Sequence, residues 1–208
     1  MARYTGPVCR LCRRERMKLF LKGTKCDSMK CPIERRPYPP GDHGRARRST
    51  GSEYLTQLRE KQKARRIYGL MEKQFRKLYV EAVRQHGVTG ENLLRLLETR
   101  LDNVAFRAVW GSSRSQARQL VRHGHVLVNG KRVTVPSYTV RRGDVVTLSE
   151  KARSFIVVRQ NIDVLDRQLP AWIDGADNGN QITVRDLPIR AQIDTAVREQ
   201  LIVELYSK

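Results

Sequence analysis

The chain has no run of about 18 apolar residues, so no membrane-spanning helix is expected. Its first residues are basic from Arg3 onward and lack an apolar core, which argues against a secretory signal. No glycine-rich nucleotide loop is present, and no Ser/His/Asp or Cys/His grouping suggests a catalytic centre or a small-molecule substrate. No internal repeat is evident, so a solenoid is excluded. Cysteine is absent after residue 31; in an exported protein a disulfide pair would be the default for the four that precede it, and in a cytosolic one a metal site is expected. The last quarter also lacks the charge excess of the rest. Residues 156–208 hold 6 Lys and Arg against 8 Asp and Glu. That segment reads as closing a core or meeting a protein.

What is present is positive charge. The net charge is +20 over 208 residues. Residues 1–70 hold 19 Lys and Arg against 6 Asp and Glu, and residues 71–155 hold 16 against 7. Such an excess predicts a polyanionic partner, because cations that neutralise phosphates release condensed counterions.

The four cysteines, Cys9, Cys12, Cys26 and Cys31, fall in one short segment with spacing C-x2-C-x13-C-x4-C. The first pair can chelate an ion from a single turn, and the long loop lets the second pair close a tetrahedron. Zinc is the expected ion, since the segment is basic, poor in apolar residues and unable to build a core alone. An iron–sulfur cluster on the same four thiolates is the alternative. Arg3, Arg10, Arg13 and Arg14 surround this knuckle. Residues 32–51 follow as a strap punctuated by Pro37, Pro39, Pro40, Gly41 and Gly44, which oppose a helix. The strap carries Arg35, Arg36, Tyr38, His43, Arg45, Arg47 and Arg48. It is expected to run extended along a nucleic-acid backbone and to order only there, with Tyr38 available to stack on a base.

Ser52 fits the cap of a helix to Tyr68 stopped at Gly69, whose Lys61, Lys63, Arg65 and Arg66 make it strongly basic. An amphipathic helix bearing Met71, Phe75, Leu78, Tyr79 and Ala82 ends by Gly87. Thr89 starts another, with Leu93, Leu94, Leu97 and Leu101 on its buried side, and Asp102 opens one more to Trp110.

Next comes SRSQARQLVRHGHVLVNGKRV. Ser113 and Gln116 form a capping box, Ala117, Leu120 and Val121 an apolar stripe, and Gly124 a helix stop. Arg114, Arg118 and Arg122 share the other face and are expected to point to solvent together. His123, His125 and Lys131 extend that basic surface. Asn129-Gly130 supplies a type I′ hairpin turn between two strands, the second leading through Pro136 toward Arg142-Gly143-Asp144. Phe155 to Val158 reads as a strand end, Asn161 to Leu165 as a helical turn, Gln181 to Arg185 as a strand, and EQLIVELYSK as a docked helix. The expected class is α+β: a mostly helical domain with an N-terminal four-cysteine zinc knuckle, and a small α/antiparallel-β module inserted before a C-terminal return segment. The boundaries are 1–51 for knuckle and strap, 52–98 for the helical domain completed by 156–208, and 99–155 for the module.

The stretch around QARQLVRHGHVLVNGKRV resembles the S-four RNA-binding domain. Together with the four cysteines, the strap ERRPYPPGDHGRAR and the tail, it makes the chain similar over its whole length to the family of bacterial small-subunit ribosomal protein S-four. That resemblance implies a non-enzymatic protein of the cytoplasmic ribosome. It implies binding to the 5′ domain of 16S rRNA early in assembly, a place beside proteins S-three and S-five near the channel that mRNA enters, influence on decoding accuracy, and possible repression of its own message. A synthetase or RNA-modifying enzyme carrying such a module would need a catalytic domain for which no residues remain. A zinc-containing DNA regulator would need a recognition element and a dimer seam, and neither is visible.

Overall fold

The computed structural model describes residues 3–46, 51–165 and 167–207. Arg47 and Arg48 of the strap lie outside the described residues. Two compact units form, residues 1–93 with 195–208, and residues 94–194.

The first unit is helical. Its elements are α1 (Cys9–Glu15), α2 (Thr24–Asp27), α3 (Pro32–Arg35), α4 (Glu53–Ile67), α5 (Glu72–Arg84), the start of α6 (Thr89–Glu98) and α11 (Glu199–Ser207). Ser52 caps α4 by accepting from the Leu55 N–H at 3.2 Å. Sparse apolar residues on α4 leave much of its packing to polar groups. Gln57, fully buried against α11, donates to Glu53 and Glu204 at 3.1 Å each. Tyr206 of α11 stacks on Tyr79 at 4.5 Å and donates to Glu72 at 2.9 Å. The strap differs from the extended loop expected. A turn of helix at Pro32–Arg35 and a 3-10 turn at Asp42–Arg45 interrupt it. Its prolines space the turns instead of excluding them, since Pro32 suits the first helical position, where no N–H partner is needed.

The second unit wraps one antiparallel sheet with helices. Its strands are β1 (Val126–Val128), β2 (Lys131–Arg132), β3 (Val145–Leu148), β4 (Ile173–Ala176) and β5 (Gln181–Val184), in the order β2-β1-β3-β5-β4. The register sets Val126 opposite Leu148, Val128 opposite Val146, Val146 opposite Ile182, and Ile173 opposite Val184. With side chains alternating between faces, these residues make one apolar layer. Helices α7 (Leu101–Arg107) and α8 (Arg114–Arg122) cover it with Val104, Phe106, Ala117, Leu120 and Val121. Trp110 and Trp172 lie in the same core, and Trp110 Nε1 donates to the Gly179 carbonyl at 2.6 Å.

Three expectations are corrected here. The second strand does not continue through Pro136; β2 stops at Arg132, and the chain turns away so that Tyr138 can accept from the Leu101 N–H at 2.8 Å. Residues 156–158 are not a strand end but open helix α10 (Ile156–Val164), which follows the short α9 (Glu150–Arg153). Their β-branched residues prefer strands weakly, and packing of Val158 and Asn161 overrides that preference. Finally, residues 156–208 do not return as one piece to the helical unit. Pairing of β5 with β3 keeps residues up to 194 with the module, and only 195–208 return.

The Asn129-Gly130 turn forms as expected, with φ of 50° and 76°. Asn129 accepts from the Val145 N–H and donates to Asp144, both at 2.9 Å, tying the hairpin to the turn before β3. Asn129→Ala removes both bonds and places a residue intolerant of the left-handed region there. The expected loss is about 1–3 kcal/mol, read from urea unfolding followed by tryptophan fluorescence.

Candidate nucleic-acid interface

The basic face of α8 is not the solvent-facing row that its spacing suggests. Arg118 is 9 % exposed and donates to Asp102 Oδ2 at 2.6 Å. Asp102 also receives Arg100 in a two-pronged contact, at 3.1 and 2.9 Å. Arg114 donates to Asn103 Oδ1 at 2.8 Å and lies 4.4 Å from the centre of the Phe106 ring. Asn103 in turn donates to Glu98, which also takes both prongs of Arg107 at 2.9 Å. Helix α7 therefore presents consecutive polar residues, Asp102 and Asn103, that hold the first two arginines of α8. Of the three, Arg122 alone is exposed. The spacing placed them on one face correctly; what it could not reveal is that α7 covers most of that face.

The cations left outside cluster elsewhere. The Asn129–Asp144 bond sets two turns side by side, so Lys131, Arg141 and Arg142 stand exposed at one end of the sheet. Arg132, also exposed, folds over Gly124 and donates to the His123 carbonyl at 3.0 Å. Gly124 suits that position because its φ is +73°, where other residues are strained. Sequence reasoning named Lys131 and missed Arg132, Arg141 and Arg142. The signal for Arg141 and Arg142 was their position in a turn, where side chains reach solvent.

In the helical unit the nominated basic residues are largely neutralised within the protein. Lys61 and Arg65 pair with Glu72 at 2.8 and 3.0 Å, Lys63 pairs with Glu60 at 2.5 Å, and Arg66 pairs with the buried carboxylate of Glu15. The fully basic helix face expected for α4 is corrected accordingly. Lys73, Arg76 and Lys77 on α5, not nominated from sequence, are exposed instead.

Arg13 clamps the strap. Its Nε donates to the carbonyls of Arg36 and Tyr38, at 3.2 and 3.0 Å. Its guanidinium and that of Arg45 lie 4.9 and 4.7 Å from the Tyr38 ring centre. Tyr38 is thus engaged by arginines and not held free for a base, which corrects that expectation. The described part of the strap is tied to α1 through these contacts. Arg3, Arg10, Arg14, Arg35, Arg36, His43 and Arg45 remain exposed around it.

The cysteines sit close enough to act on one another. Cys9 and Cys12 lie one turn apart on α1, Cys26 lies in α2, and Cys31 precedes α3. Burial pushes the Cys12 thiol above its usual range. The Leu19 N–H works against this, and the other three cysteines push the same way as burial. Cys26 is likewise raised by burial, while accepting from the Lys22 N–H at 3.3 Å. Backbone N–H groups aimed at sulfur suit thiolates that bind a cation, which would reverse those shifts. Among the described residues, however, no group of three or more His, Cys, Asp or Glu stands in metal-holding geometry, so the zinc knuckle remains a reading of donor chemistry.

Residues 3–98 match the family model described as the ribosomal protein S4/S9 N-terminal domain, and residues 99–146 match the S4 domain. The chain is 61 % identical to the small ribosomal subunit protein uS4 of Acidothermus cellulolyticus over the full length of both. It is 58 % identical to that of Dictyoglomus turgidum and 56 % identical to that of Pelobacter propionicus, again over both full lengths.

Proposed function

The chain belongs to the uS4 family of small ribosomal subunit proteins, and we propose that it serves as that subunit's structural, rRNA-binding constituent without catalysing a reaction. The observation that carries the reading is the exposed set Arg122, Lys131, Arg141 and Arg142 on a module whose Arg100, Arg107, Arg114 and Arg118 are held by internal acceptors. Cations fixed on short turns suit the phosphates of folded RNA, which is recognised largely by shape. The finer reading is binding to the 5′ domain of 16S rRNA early in assembly, next to proteins S-three and S-five and to mRNA as it enters. Self-repression at its own message would use the same surface. Co-migration with the small subunit after a high-salt wash is the expected result; release into the free protein fraction would contradict it.

The four cysteines fit one structural zinc, held by Cys9, Cys12, Cys26 and Cys31. When bound, the ion supplies the cross-link that this apolar-poor segment lacks. Native mass spectrometry is expected to show one zinc per chain, lost in Cys26→Ser. Iron and sulfide in protein purified without oxygen would replace zinc with a cluster.

A further inference from the structure

An open cavity of about 490 Å³ lies beside the C-terminal end of α8, within the range of roughly 300–1,000 Å³ typical of small-ligand sites. Leu120, Phe155 and Val158 form its apolar wall, and Gln116, Gln119, His123 and His125 supply polar edges. His125 stands edge-on to Phe155, with ring centres 4.9 Å apart and an 82° angle between planes. Gln116 Oε1 accepts from the Ser112 N–H at 2.7 Å, which fixes that amide. Ile156 and Val157 at the rim are 80 % and 51 % exposed. No carboxylate lines the cavity among the described residues, and Arg122, Arg132 and Lys151 are exposed close in sequence.

This is the chemistry of a base-reading site. Sequence-specific RNA recognition uses unpaired bases that stack on aromatic or imidazole rings and pair their edges with side-chain amides. Burial, followed by His123, Lys151 and Arg132, lowers the His125 pKa. The ring is then neutral near pH 7, with one donor and one acceptor nitrogen for a base edge. A protein partner suits the cavity less, since a stable interface needs roughly 800 Å² per partner and the exposed apolar surface here is two side chains.

We propose that this cavity takes one unpaired nucleobase of the bound rRNA, stacked on the face of the His125 ring and edge-on to Phe155, with its own edge against the Gln116 and Gln119 amides. The proposal rests on the rRNA-binding reading above and adds base recognition to a surface otherwise suited to phosphates.

The test uses the full chain and a transcript of the 16S rRNA 5′ domain. Ultraviolet cross-linking and mass spectrometry are expected to find one nucleotide attached within residues 119–125 or 154–158. His125→Ala is expected to weaken binding roughly tenfold, the effect of one lost base stack, with the slope of log K against log salt unchanged. Because His125 is half-buried, the exposed pair Gln119→Ala with His123→Ala serves as a second variant, expected to lose affinity in the same way. Tryptophan fluorescence checks that each variant is folded. A slope that falls with affinity would make this a phosphate site and overturn the proposal. So would unchanged affinity in both variants, or a cross-link from these residues to another protein in assembled subunits. If the unmodified chain failed to bind the transcript, the rRNA reading itself would fall first.

Discussion

Asp102→Ala is expected to destabilise the sheet-containing unit by about 3–5 kcal/mol, because it strands two buried guanidinium groups. Arg100 and Arg118 are 4 % and 9 % exposed, and both lean on the one carboxylate. Burying an ion is costly, and a neighbour that offsets the cost cannot be removed without exposing it. The measurement is urea unfolding followed by tryptophan fluorescence. Both tryptophans, Trp110 and Trp172, lie in the core of this unit, so the signal reports it specifically. Arg118→Ala is expected to destabilise as well, though less, since Arg100 keeps its two-pronged contact with Asp102. Arg122→Ala, on the exposed end of the same helix, should change stability by no more than about 0.5 kcal/mol. Equal effects from Arg118→Ala and Arg122→Ala would show that the buried network contributes nothing.

The second large effect is on RNA binding. Replacing Arg122, Lys131, Arg141 and Arg142 together by Ala is expected to flatten the slope of log K against log salt by roughly 3–4 units, at about 0.9 per phosphate contact on a duplex. Stability should hold, since all four side chains are exposed. Arg118→Ala separates the two roles: it should lower stability while leaving the slope nearly unchanged in folded protein. The readout is affinity for the 5′-domain transcript at several salt concentrations. A slope unchanged in the quadruple variant would remove these four cations from the interface and leave binding to the strap and α5.

Local chemistry made much of the architecture legible. Ser52 and its helix, the buried Leu93-Leu94-Leu97 run and the Asn129-Gly130 turn each depend on residues a few positions apart and form where the sequence places them, while Leu101 opens the next helix, α7, instead of completing α6. Long-range pairings were not legible. Gln181 to Val184 reads as a strand from its alternation, but nothing local says that β3 is its neighbour, so the return of the chain was drawn too early. Arg118 failed for a similar reason. Helical periodicity gives a face, while the acceptor that buries it, Asp102, comes from another helix. On α4, sequence showed the five cations Arg59, Lys61, Lys63, Arg65 and Arg66 without the carboxylates of Glu15 and Glu72 that pair with all of them but Lys63. The resemblance named the polyanion correctly as RNA, but charge counting overstated how many arginines are free to meet it.

The most direct test of the rRNA-binding role is competition at fixed salt. The full chain, bound to labelled 16S rRNA 5′-domain transcript, is challenged with unlabelled transcript, with an unrelated RNA of equal length and charge, and with duplex DNA of equal charge. A structural rRNA-binding protein should be displaced by its own transcript at concentrations far below those needed of either competitor, with the preference widening as salt rises and nonspecific phosphate binding is screened. Equal displacement by all three would mean that the positive charge alone explains binding, and would contradict a specific place in the small subunit.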